Sequence, residues 1–151
     1  MQSWYYIYCD KKYRKNIEKA IYYLTLSAEQ NDPNAQYILG TIYYDSKCAY
    51  YDINKAIHYF KRSANQNFVH SLYTLGTHFL AKYDIKTAVN YFKLAANQNH
   101  SNSQYILGRI YLNLFYDNKN NVQTSIFWLT QASKNLNDEA NFFLGFIYHE
   151  G

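Results

Sequence analysis

Cysteine and glycine are both scarce in this 151-residue chain, at 2 and 5 copies, and there is a single proline. Two cysteines, Cys9 and Cys48, do not make a disulfide framework, so free thiols are expected. With so little glycine there is no Gly-rich phosphate loop, and neither a nucleophile elbow nor a paired-cysteine motif occurs. Carboxylates are few, 11 Asp plus Glu in all, and most of the aspartates stand where helix caps or turns want them. The five histidines, at 58, 70, 78, 100 and 149, include no i, i+4 pairing with Glu of the kind that binds zinc on a helix. No metal, no cofactor and no catalytic cluster are therefore expected. Long apolar runs are missing too. The opening stretch from Trp4 to Tyr8 is too short for a signal sequence or a membrane span, and a soluble, cytoplasmic location is expected.

Net charge is only +4. The one basic cluster, Lys11, Lys12, Arg14, Lys15 and Lys19, reads as a solvated helix start; the alternative is a contact with an acidic partner, an anionic membrane surface or RNA.

What the chain has in abundance is aromatic residues in register. Leu39-Gly40, Leu75-Gly76, Leu107-Gly108 and Leu144-Gly145 are each followed three residues after the glycine by Tyr43, Phe79, Tyr111 or Tyr148. Each pair is preceded by a second aromatic, at Tyr37, Tyr73, Tyr105 and Phe142. A second recurring cell stands at Lys19-Ala20-Ile21, Lys55-Ala56-Ile57, Thr87-Ala88-Val89 and Thr124-Ser125-Ile126. Two alternating cells mean two alternating elements in a tandem repeat. From the Ala-like residue to the next Gly the step is 20 residues each time (20 to 40, 56 to 76, 88 to 108, 125 to 145), whereas the return step varies as 16, 12 and 17. Insertions are thus confined to one edge of a stack.

The element holding the second cell shows apolar residues at Ile53, Ala56, Ile57, Phe60 and Ala64, the stripe of an amphipathic helix, here termed B. Asn16, Asp52, Asp84 and Asn121, four residues before each Ala-like position, are the expected N-caps. Asn31, Asn67 and Asn99 are the expected left-handed residues closing the first three B helices. The other helix, A, opens with Asp32 as cap and Pro33 in the first position, and buries Ala35, Leu39 and Tyr43. Glycine inside a helix costs about 1 kcal/mol against alanine, so four Gly at equivalent sites point to close helix packing.

The strings Asn34–Tyr43 and Asp52–Ala64 closely resemble the two halves of the Sel-1-like repeat, a relative of the tetratricopeptide repeat. The resemblance runs from about Asn16 to Gly151, and implies an all-α solenoid of antiparallel helix pairs in a right-handed superhelix, used as an adaptor or scaffold, with a concave face lined by A helices. Residues 1–15 are expected to be a degenerate half-repeat or N-terminal cap, because Trp4 occupies a glycine position. Residues 16–151 form the array: one B helix, full repeats at 32–67, 68–99 and 100–136, and a final A helix at 137–151 without its B helix. That last helix suggests either a fragment of a longer protein or a piece that docks other material at its ends. The family usually closes helix B with Gly. Here the fourth closing position is Leu136, poorly suited to a left-handed cap, so closure at Asn135 or Asn137 is expected, and Ser133 stands where Ala is usual.

The remaining candidate for function is a surface. Residues a quarter-turn or more from the buried A stripe are Tyr37, Thr41 and Tyr44; Tyr73, Thr77 and Leu80; Tyr105, Arg109 and Leu112; and Phe142, Phe146 and His149. An aromatic and aliphatic trough with one Arg suits a peptide or protein partner. The Tyr37, Tyr73, Tyr105, Phe142 column is either groove lining or an inter-repeat packing ladder. A non-enzymatic protein-interaction scaffold is the leading expectation. The alternative is single-stranded RNA binding, disfavoured because no basic stripe lines the groove. A hydrolase is suggested by the resemblance alone.

Overall fold

A computed structural model describes residues 14–114 and 119–150. Its helices are α1 (Arg14–Glu29), α2 (Pro33–Tyr44), α3 (Ile53–Ala64), α4 (Val69–Ala81), α5 (Ile85–Ala96), α6 (Ser101–Leu114), α7 (Lys119–Lys134) and α8 (Asp138–Glu150). No strand occurs among the described residues. Even-numbered helices carry the Leu-Gly pairs and are the A helices; odd-numbered ones are B. The expected half-repeat at 1–15, with Trp4 and Cys9, and most of the basic cluster lie outside the described residues or side chains. The chain divides into two compact units, Met1–Ser71 and Leu72–Gly151.

In the first unit α2 packs on both α1 and α3. The helix start at α2 follows from its sequence: Asp32 caps it by accepting from the Asn34 amide at 2.9 Å, and Pro33 takes the position where a missing amide costs nothing. The Ser27 hydroxyl donates to the same carboxylate at 2.9 Å, and these bonds hold the Asp32 carboxyl below its ordinary pKa. Ala28, Ala35 and Leu39 form the core, flanked by Ile21, Leu24, Tyr43 and Tyr59. Tyr43 is half-buried rather than buried, stacked on Tyr59 with ring centroids 5.9 Å apart, and Ile42 is the buried neighbour. The α2 and α3 helices run antiparallel: the Ser63 hydroxyl at the end of α3 donates to Pro33 O at the start of α2, while the Asp52 amide donates to Tyr43 O at the other end.

Gly40 explains itself here. A Cβ on it would stand 2.5 Å from the ring of the fully buried Phe60. Full burial of such a ring stabilises by about 1.5–3 kcal/mol, more than the glycine's helix penalty of about 1 kcal/mol.

The second unit repeats the device. Gly76 accommodates Phe92 and Gly108 accommodates Leu129, with hypothetical Cβ distances of 2.7 and 2.5 Å. Ala88, Phe92, Ala96, Leu107 and Ile110 make one core cluster, and Leu129, Ala132 and Ala140 another. Ser125, standing where other B helices have Ala, is buried with its hydroxyl donating to Gly108 O at 2.7 Å.

The helix ends correct two expectations. Asp52 and Asp84 do cap α3 and α5, but Asn16 and Asn121 lie inside α1 and α7, which begin at Arg14 and Lys119. Asn31, Asn67 and Asn99 take the left-handed conformation with φ of 68°, 58° and 61°. Leu136 does the same at 62°, so α7 closes neither at Asn135 nor at Asn137. The reason is hydrogen bonding: the Leu136 amide donates to Ser133 O and the Asn137 amide to Ala132 O, the double closure seen at the other B helices. Those bonds hold a leucine where it costs about 1–2 kcal/mol. Tyr83, at φ 60°, closes α4 in the same way.

Candidate functional site

Three of the four rings of the aromatic column, Tyr37, Tyr73 and Tyr105, pack against other aromatic side chains. Tyr37 lies against Phe60, Phe68 and His70, with centroids 5.5 to 5.9 Å apart. Tyr73 lies against Phe92 and 4.8 Å from the ring of His100, and Tyr105 against Phe143. All three stay half-buried, so each ring supports a helix contact while keeping one edge accessible. Phe142, the fourth member, is 71% exposed.

The remaining candidates separate by burial. Thr41 and Thr77 turn their hydroxyls onto their own helices, donating to Ile38 O and Thr74 O. Tyr44 packs edge-on against Phe60, where burial raises its phenol pKa. Leu112 is 5% exposed and offers a partner no surface. Phe146 and His149 are exposed on α8.

Leu80 and Arg109 come together. They line a cavity of about 400 Å³ with Ile85, Ile106, Ile110 and Asn113. Its walls are aliphatic, and Arg109 and Asn113 supply its polar groups. The Arg109 guanidinium carbon lies 5.7 Å from the Tyr105 ring centroid and 5.3 Å from that of Phe143, a double cation–π contact that steers a long side chain. No carboxylate pairs with it among the described residues.

Ile106, Ile110 and Asn113 were missed because the reading from sequence carried the stripe of Tyr105 forward to Leu112. Positions 106, 109, 110 and 113 are the i, i+3, i+4, i+7 face that contains Arg109, so the spacing itself held the signal. Ile85 was hidden by the short α4–α5 turn, which brings the first residue of a B helix beside an A helix.

No group of three or more His, Cys, Asp or Glu able to hold a metal occurs among the described residues. His78 is buried and its pKa is lowered, first by that burial and then by the charge of Lys82.

The Sel1 repeat family model matches residues 5–32, 33–68, 71–100, 101–135 and 138–151. The chain is a Sel1 repeat protein. Two solved structures share the fold at a TM-score of 0.71 and 24% identity. One is a protective antigen of uropathogenic Escherichia coli displaying an SLR fold, aligned over 86% of this chain and 29% of its own. The other is a Sel1 repeat protein from Oxalobacter formigenes, aligned over 87% of this chain and 55% of its own. This Sel1 repeat protein thus spans about a third and about half of those two chains. No curated protein matches its sequence. Sel1 repeat proteins are in general protein-interaction scaffolds and typically non-catalytic. No helix among the described residues is long and apolar enough to cross a membrane.

Proposed function

We propose that this Sel1 repeat protein is a non-catalytic scaffold that holds a peptide segment of a protein partner in the aliphatic cavity between Leu80, Ile85, Ile106 and Ile110. The observation that carries this reading is Arg109: a cation steered by two rings, at the rim of an apolar cavity, without a carboxylate of its own among the described residues. An aliphatic side chain would fill the cavity and a neighbouring carboxylate would meet the guanidinium, a bond roughly twice as strong as one between neutral groups. The Tyr37 and Tyr73 rings lend less to base stacking than their number suggests, since helix neighbours already occupy them.

The test is selection from a displayed peptide library on the immobilised chain, followed by affinity measurement with parent and Arg109→Gln. Enrichment of peptides pairing an aliphatic residue with Asp or Glu, weakened about tenfold by Arg109→Gln, is expected. Enrichment without acidic residues, or unchanged affinity in the variant, would count against it. Tight binding of oligouridine that collapses as salt rises would replace it with the RNA reading.

A further inference from the structure

The polar edge of the Arg109 cavity is chemically one-sided. Four of the six lining residues are aliphatic, and the other two, Arg109 and Asn113, stand one turn apart on α6, with Cβ atoms about 5–6 Å from each other by helical spacing. Both are exposed, whereas Ile110, between them in sequence, is buried. Arg109 brings five N–H donors and Asn113 two, against a single side-chain acceptor, Asn113 Oδ1. Apart from the two ring contacts of Arg109, neither side chain has a hydrogen-bond or ion-pair partner among the described residues.

Such an edge suits a group that accepts and does not donate. The interior of a peptide is a poor match, because each main-chain carbonyl comes with an N–H that needs an acceptor of its own. An ionised carboxylate only accepts, and its two oxygens can be shared between the guanidinium fork and the Asn113 Nδ2 amide.

Position decides which carboxylate. Arg109 shares a helix face with Ile106 and Ile110, so the anion must lie close to the apolar side chain that enters the cavity. In an extended segment the neighbour of an aliphatic residue points to the opposite face, and the next residue on the same face is about 7 Å further on. A terminal carboxylate is bonded to the same Cα that carries the aliphatic side chain, and it spares the entropy of fixing a separate acidic side chain. A volume of about 400 Å³, near the lower end for ligand pockets, matches one such residue and its terminus better than a longer stretch.

We propose that the Arg109 cavity captures the C-terminal residue of a partner chain, a leucine, isoleucine or valine whose side chain lies against Ile106 and Ile110 and whose carboxylate is held by Arg109 and Asn113. The proposal rests on the reading of this cavity as a peptide site and names the part of the partner that it holds.

The probes are three acetylated synthetic hexapeptides: Ser-Gly-Ser-Gly-Ala-Leu with a free C-terminus, the same sequence amidated, and amidated Ser-Gly-Leu-Asp-Gly-Ser, whose only carboxylate is on a side chain. Peptides fused to a display scaffold through their C-terminus resemble the third, so the first needs a free peptide. Each is titrated onto the intact isotope-labelled protein, with the Arg109 Nε–H and Asn113 Nδ2 signals followed by NMR. Saturable shifts of both signals are expected with the free acid, whose affinity should exceed that of its amide about tenfold. Asn113→Asp, similar in size and repelling an anion, should weaken binding of the free acid about tenfold and of the amide far less. Backbone signals unchanged away from α6 would show that this variant folds. Equal affinity for free acid and amide would overturn the proposal, as would equal affinity of parent and Asn113→Asp for the free acid. Tighter binding of the aspartate peptide than of the free acid would overturn it while leaving the cavity a peptide site. Binding of none of the three would overturn both.

Discussion

The ring of Phe60 lies 2.5 Å from the point where a Cβ on Gly40 would stand, and that ring is fully buried. Alanine would gain about 1 kcal/mol of helix propensity there, but overpacking a filled site costs about 1–3 kcal/mol and occasionally more. Two ring carbons at that distance put Gly40 at the costly end. We expect Gly40→Ala to lower stability by about 1–2 kcal/mol. Gly145→Ala, with open space around it, should raise stability by about 1 kcal/mol. Urea unfolding of the two variants would check both signs; a loss at both positions would show that the notch at Gly145 is filled.

Leu136 sits at φ 62° and is 90% exposed, so its side chain contributes little packing to offset the left-handed backbone. Leu136→Asn is therefore expected to stabilise by about 1 kcal/mol, and Asn67→Leu to destabilise by a similar amount. Thermal melts of the pair measure this directly.

Gln104 is a buried side-chain link. Its amide donates to Ala96 O at 3.0 Å and its carbonyl accepts from Asn135 Nδ2 at 2.8 Å. Gln104→Leu leaves that donor to find water, at a cost of about 1–2 kcal/mol. Gln36 makes the equivalent bonds to Ala28 O and from Gln66 Nε2, but Gln66 Nε2 also donates to Asn31 Oδ1 at 3.3 Å and keeps that acceptor when Gln36 is removed. Gln36→Leu should then cost less than Gln104→Leu in the same denaturation assay.

His78 is 8% exposed, and burial followed by the Lys82 charge depresses its pKa below the ordinary 6.5. With the folded pKa below the unfolded one, the unfolded chain takes up the proton first as pH falls. Stability is fully present above about 6.5 and declines from there down to the lowered folded pKa. Urea midpoints at pH 7.5 and 5 should differ in the parent, and the His78→Gln variant should lose the part of that difference that comes from this ring.

Much of the local structure was legible along the chain because it is written in neighbouring residues. Asp52 and Asp84 cap helices three bonds from their own backbone, and Asn31, Asn67 and Asn99 close them for reasons internal to the turn. The same locality misled at Asn16 and Asn121, where residues before the expected cap continue the helix. At Leu136 local preference lost to the double hydrogen-bond closure, which needs only amides and tolerates any side chain at a cost. For the surface, the sequence placed Arg109 and Leu80 among the candidates, but not the company they keep. Leu112 was assigned to the same face and turned inward because a quarter-turn estimate drifts over two helical turns.

The sequence by itself determined that this chain is a series of alternating helices, where four glycines fall, and that the chain belongs with the Sel1 repeats. Periodicity and spacing are one-dimensional quantities, and they suffice for that. Only the tertiary structure decided which glycines are filled and which is open, that the tyrosine rings are committed to packing, and that Ile85 and Ile106 meet beside Arg109. Those outcomes depend on which side chains from separate helices occupy the same space, and no single stretch of sequence contains that information.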